Sequence, residues 1–287
     1  MLRRRFTAMG TQIELMLEAT PSAIAVRALA AAEADLCRLE CLLSRFDPDS
    51  ELSRLNERGT MVVGRELLEL VELALAARER TGGRFDPTVH DALVAAGYDR
   101  TFAQLPGRSS APPLAPARCA GDVRVHRESC TIELERGIRI DLGGIAKGYA
   151  ADRASTILAE VGPCLVDAGG DIALRGRAWP VGVETAAGTL TLELTEGGLA
   201  TSGRDRRRWT RGGEEQHHLI DPTTGRPAET DVLRVTVAAA SAAEAEVQAK
   251  SLFLAGTTAA LERANEHGLP VVLVTRDGWT LIAGGIA

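Results

Sequence analysis

Hydrophobic positions recur along this chain with two periods, and the points where one gives way to the other mark its elements. Residues 6–18, FTAMGTQIELMLE, alternate as a half-buried strand does after an irregular start. From Thr20 and Pro21 the spacing turns helical, carried by Val26, Leu29, Leu36, Leu39, Leu42 and Leu43. Pro48, within SRFDPDSE, forbids easy continuation. A second helix is expected over residues 65–80, ended by the glycines of TGG.

Farther on, DVRVH, TIELE and IRIDL read as successive strands, the last running into Asp141. A turn at Gly143-Gly144 then leads into a helix through Lys147 to about residue 161. CLVDAGGDIALRG, WPVGVE, TLTLELTE and VLRVTVAAA are strand-like again, and a helix follows over 242–255. One more helix and the pair PVVLVT and TLIAGG close the chain. Residues 103–121 hold PGRSSAPPLAPA, whose prolines and small residues predict a surface loop. Strands come in groups with helices between them. The expected class is therefore α+β, with mixed or antiparallel sheets and packed helices in one domain over 1–287.

Composition narrows the function classes. A chain of 287 residues that is 45% hydrophobic supports a large core, and a net charge of -6 argues against a nucleic-acid binder. The basic clusters LRRRF and RDRRRW read as solvated faces. Five cysteines form no even framework and no C-x-x-C pair. Cys37 and Cys41, four apart in a helical pattern, are expected on one face as buried free thiols, which suits a reducing compartment. No apolar segment of signal-peptide or membrane-spanning length stands out, so a cytoplasmic location is expected.

Six turn-like segments combine glycine, a carboxylate and a hydroxyl or base: SRFDPDSELSRLN, TGGRFDPTV, IDLGGIAKGYAADRA, VDAGGDIALRG, LATSGRD and HHLIDPTTGRP. Each has an ordinary explanation alone. Asp-Pro begins turns, Asp86 and Asp221 suit local capping, and paired glycines suit a bulge. Residues 140–154 pose the choice most sharply. Glycines before a helix let its free N–H groups approach an anion, or they simply allow a sharp turn. The stretch is neither G-x-G-x-x-G nor G-x-x-x-x-G-K-[ST], so spacing alone leaves both readings open.

The six in this order resemble the FAD:protein FMN transferase family, the ApbE-like flavin transferases. Met9-Gly10-Thr11 resembles that family's N-terminal M-G-T, and residues 44–56 its S-x-[YF]-x-x-x-S-E-[LI]-S-x-x-N, with Phe46 in the aromatic place. Residues 81–89 are similar to G-x-F-D-[PI]-T-V, and residues 141–149 to D-L-G-G-I-A-K-G-Y. Gly169-Gly170-Asp171, residues 200–203 and residues 218–227 follow in family order.

The resemblance implies an ApbE-like flavin transferase fold and transfer of FMN from FAD to a threonine or serine hydroxyl of an acceptor protein, with AMP leaving. Met9, Phe46, Arg84, Phe85, Asp86, Asp141, Lys147 and Ile220 would contact FAD, and Gly144 would offer a carbonyl to Mg2+. Lys147 would help neutralise the transferring phosphoryl group, and His218 would take the hydroxyl proton. A one-residue slip would exchange His218 with His217.

One segment departs from the family pattern. Where its metal segment reads A-D-A-x-x-T, this chain has AEVQAKSL. Glu246 stands for the aspartate and Lys250 for the threonine ligand. A protonated ammonium cannot ligate a hard cation, although Glu and Lys at i and i+4 also form a routine helix-surface pair. Two other readings therefore stand beside transfer: an FAD-binding protein with weak or no transfer, and an FAD pyrophosphate hydrolase giving FMN and AMP. A dehydrogenase is disfavoured, because no Rossmann fingerprint follows an N-terminal strand.

Overall fold

The computed structural model describes residues 1–112 and 115–285. The chain folds as two compact units, each built from separated stretches. The first comprises Met1–Glu40, Ile145–Ser202 and Thr230–Ala287, and the second Cys41–Gly144 and Gly203–Glu229. Sequence gives no linker between them because the chain passes from one unit to the other inside continuous motifs, as at Gly144-Ile145.

The first unit holds an eight-stranded sheet whose strands lie side by side in chain order: Leu2–Ala8, Thr11–Leu17, Cys164–Ala168, Ile172–Arg175, Gly197–Gly203, Val232–Ala239, Val271–Thr275 and Thr280–Ala283. Its apolar core includes Leu165, Leu174 and Val272, extended by Trp179, Val181 and Val183 of a hairpin formed by Trp179–Thr185 and Gly188–Leu194. The helices Ala146–Ala159 and Ala242–Ala255 belong to this unit. In the second unit, the helices Glu51–Arg58, Arg65–Arg80 and His90–Ala95 accompany two three-stranded sheets. The α+β class expected from sequence stands.

Several elements differ from their expected form. Leu2–Ala8 is itself a strand, paired in register with Thr11–Leu17, so Met9-Gly10 is a turn rather than part of one long strand. The first long helix is Ala23–Leu43, starting after Thr20 and Pro21 rather than at them, and Ser22 caps it, its Oγ accepting from Ala25 N–H at 3.2 Å. Ile138 to Leu142 form no strand. There the side-chain amide of Asn56 takes the place of a ladder, bonding Ile140 N–H and C=O at 2.8 Å each, while Asp141 N–H donates to Pro87 C=O at 2.7 Å. Within the expected loop 103–121, residues 113 and 114 lie outside the described residues, but Arg108–Ser109 pairs parallel with Thr210 and Arg211. Cys37 and Cys41 are exposed, not buried. Cys119 and Cys164 are the buried thiols, and burial pushes both up to about 11.

Candidate functional site

Two of the sequence motifs meet at one end of the first unit's sheet. Met9 and Gly10 turn between the first two strands with φ of 54° and 67°, the left-handed pair that a two-residue hairpin needs. A methionine is uncommon in that region and is strained there. Thr11 then packs on Gly169, where any Cβ would run into its side chain. The Gly169-Gly170 turn returns the chain to Asp171, whose C=O accepts from Ala168 N–H at 2.9 Å.

Asp171 is buried and ion-paired with Lys147. Lys147 Nζ also lies 2.5 Å from Glu246 Oε1, and Gly148 N–H donates to Glu246 Oε2 at 2.9 Å. The side chains of Lys147, Asp171 and Glu246 are 14%, 5% and 6% exposed. A helix N-terminus favours an anion through its free N–H groups and its dipole. Here the first turn of Ala146–Ala159 binds the protein's own carboxylate.

The two helices are held in register by the same motif. A Cβ on Gly148 would stand 2.5 Å from the Ala242 carbonyl oxygen, so only glycine admits this approach. Asp152, one turn on, accepts from Ala242 and Ala243 N–H at 2.8 and 3.0 Å and caps Ala242–Ala255. Burial pushes the Asp152 carboxyl up, opposed by those two bonds. Lys250 is half-buried on the same helix, one turn beyond Glu246.

In the second unit, Arg45 Nε meets Asp141 Oδ2 at 2.7 Å, with the two side chains 6% and 9% exposed. Its guanidinium lies over Phe46 and Tyr98, and Tyr98 in turn packs on Trp209. Ile220 is buried in this same aromatic cluster, and Phe85 is only 2% exposed. Arg84, half-buried, approaches Thr81 C=O at 3.5 Å.

The carboxylates of three motifs serve turns. Asp86 Oδ1 accepts from Thr88 N–H and Oγ–H, both at 2.8 Å. Asp221 Oδ1 does the same for Thr223 at 2.9 and 2.7 Å, so the two D-P-T sequences build one local structure twice. Asp141 Oδ1 accepts from Gly143 N–H at 2.9 Å, which closes the turn leading to Gly144. The buried polar atoms of this unit that lack hydrogen-bond partners include Arg45 Nη2 and Asp86 Oδ2, the latter 3.5 Å from Arg78 Nε. Such orphans are rare in native proteins and call for a ligand or other explanation.

The histidine pair separates cleanly. His217, 1% exposed, places Nε2 3.1 Å from Ala228 C=O, while its Nδ1 accepts from Leu219 N–H at 3.3 Å. The proton therefore sits on Nε2, and burial drops the ring's pKa to about 4. His218 is half-buried in the link between the strand Glu214–His217 and Ile220–Asp221. A cavity of about 400 Å³ in the same unit is lined by Arg204, Gln216, His217 and Arg226 among others, and by none of the residues expected to contact FAD.

Sequence reasoning gave no role to Asp171, Gly148, Asp152 or Arg45. Asp171 carried a signal, an acid between a glycine pair and a buried strand, whereas Arg45 carried none. For Mg2+, the donor set fits poorly. That ion wants about six oxygens in near-octahedral array. Both Glu246 oxygens are engaged within the protein, and no group of three or more His, Cys, Asp or Glu side chains placed to hold a metal occurs among the described residues.

A protein of Treponema pallidum named FAD:protein FMN transferase is 34% identical over 251 residues, covering 76% of this chain and 68% of its own length. Its namesake in Escherichia coli is 27% identical over 257 residues, covering 83% and 73%. A crystal structure of the ApbE protein of Thermotoga maritima matches with a TM-score of 0.84 at 28% identity, over 98% of this chain and 96% of that one. The ApbE family model matches residues 9–273, which span the Met9 turn, the Lys147 helix and the Glu246 helix alike, so the chain belongs to the ApbE family.

Proposed function

We propose that this protein is an FAD:protein FMN transferase, an enzyme that moves FMN from FAD to a threonine or serine hydroxyl of an acceptor protein. The observation that carries the reading is the family match over residues 9–273, with every motif in family order. By the family pattern, Met9, Phe46, Arg84, Phe85, Asp86, Asp141, Lys147 and Ile220 are the FAD contacts.

In the reaction, the acceptor oxygen attacks the FMN-side phosphorus of the FAD pyrophosphate. A new P–O bond forms, the bridging P–O bond breaks, and AMP leaves with the bridging oxygen. His218 takes the hydroxyl proton. The choice of His218 over His217 is supported by the backbone bonds at both ring nitrogens of His217 and by its low pKa. Asp141, held between Arg45 and Gly143 N–H, orients the glycine turn rather than moving a proton. The family resemblance also brings Mg2+, with Gly144 and Glu246 as ligands, but both Glu246 oxygens are already engaged. None of the five cysteines is in a disulfide, which suits a cytoplasmic setting. Among the described residues no helix is long and apolar enough to cross a membrane.

The test is incubation of the purified protein with FAD, with and without a protein carrying a flavinylated-type threonine site. Transfer gives AMP and a covalently fluorescent acceptor in equal amounts. AMP and free FMN without acceptor would mark a pyrophosphate hydrolase, and no AMP under either condition would leave an FAD-binding protein.

A further inference from the structure

We infer that the ammonium of Lys147, and not a divalent cation, balances the buried carboxylates of Asp171 and Glu246, so that FAD binding in this chain is independent of Mg2+. The inference rests on the FAD reading above and concerns how the same site is charged.

Three rigid elements bring the charges together. Lys147 comes from the first turn of Ala146–Ala159, Glu246 from Ala242–Ala255, and Asp171 from the turn entering Ile172–Arg175. Lys147 Nζ touches both carboxylates, at 2.5 Å for Glu246 Oε1, and the remaining Glu246 oxygen is held by Gly148 N–H. Gly148 and Asp152 fix the helix pair, so Lys147 and Glu246 are held at a set separation.

A Mg2+ ion seated between these two carboxylates would take oxygens from them at about 2.0–2.1 Å. That expels Lys147 from both partners and leaves its charge beside a doubly charged ion, in a cluster nearly closed to water. Like charges at such a distance repel strongly where water cannot screen them. Lys250 adds a second lysine one helical turn from Glu246, where the family pattern places a neutral oxygen ligand. Lys147 cancels one of the two buried negative charges, and Lys250 puts further positive charge on the same helix as Glu246, which weakens the pull on a divalent cation.

The experiment measures FAD affinity and the thermal midpoint of the ligand-free chain, each in millimolar Mg2+ and in EDTA. Expected are an FAD Kd unchanged within about twofold and a flat Tm. A Kd that tightens by more than that in Mg2+, or a ligand-free Tm that rises with Mg2+, overturns the inference. Lys147→Met removes the ammonium and should convert the flat Mg2+ response of Tm into a rise of about 3 °C or more. A folded variant with a flat response would also overturn it. Absence of FAD binding in both buffers would count against the flavin reading, while the ligand-free Tm would still decide the charge question.

Discussion

Arg45 and Asp141 form a closed ion pair, with Arg45 Nε 2.7 Å from Asp141 Oδ2 and both side chains more than nine-tenths buried. It ties the segment before the helix Glu51–Arg58 to the turn that opens the glycine motif. Removing one partner of a buried pair strands the other charge and costs roughly 3–5 kcal/mol. Arg45→Met should therefore lower stability by about 3 kcal/mol in urea titration, and Asp141→Asn by a similar amount. The double variant should lose clearly less than the two added together, because no charge is then left unpaired. Strict additivity would show that the pair is not coupled.

His218→Ala should slow FMN transfer by about 100-fold or more, as loss of a general base does, with FAD affinity held within about twofold. The comparison that makes this specific is His217→Gln, which should leave the rate near that of the parent once folded protein is equalised. Equal transfer rates in His218→Ala and parent would return His218 to a structural role.

Much of the fold is legible in sequence where the signals are local. The helices Arg65–Arg80 and Ala242–Ala255 fall where their spacing puts them, the second capped by Ser241, whose Oγ accepts from Glu244 N–H at 3.1 Å. Ile138 to Leu142 misled because their bonding partner is the side chain of Asn56, far away in sequence, and β-like composition cannot reveal it. The site is less legible for a related reason. An Asp-Pro-Thr turn has the same letters whether its acid caps a turn or meets a ligand, and Asp86 and Asp221 both cap. Lys147 was legible as a helix-start lysine, but its partners Asp171 and Glu246 come from two other elements. Family order found the motifs; it did not say which charges would meet.

His217 makes stability depend on pH. Its pKa falls from an ordinary 6.5 to about 4 on folding because burial disfavours the charged ring. Between those values the unfolded chain binds a proton that the folded chain does not, so stability is full above about pH 6.5 and is lost as pH falls toward 4. The loss from this group is about 3 kcal/mol across that window. Burial lowers the pKa of His90 as well, with the same sign, while the raised Asp152 carboxyl acts in the opposite sense, so His217 is one contributor to the parent's slope among several. Urea titrations of His217→Gln between pH 7 and pH 4 should show a shallower decline than the parent. An unchanged slope would mean that His217 is not buried neutral.

Gly148 is where fold and site depend on one missing methyl group. A Cβ there would come within 2.5 Å of the Ala242 carbonyl oxygen and 2.6 Å of Ala243 N, both backbone atoms that cannot swing aside. Gly148→Ala should therefore push Ala146–Ala159 and Ala242–Ala255 apart, against the gain in helix propensity that alanine brings elsewhere. Overpacking of this kind costs about 1–3 kcal/mol, more than the roughly 1 kcal/mol that propensity returns. The displacement also lengthens the Gly148 N–H bond to Glu246, 2.9 Å in the parent, and the Lys147–Glu246 ion pair with it. The variant should lose stability and FAD affinity together, whereas Gly143→Ala, whose nearest neighbour at 3.1 Å is the Asp141 side chain rather than backbone, should be milder. If Gly148→Ala were more stable than the parent, the close approach of the two helices would be wrong.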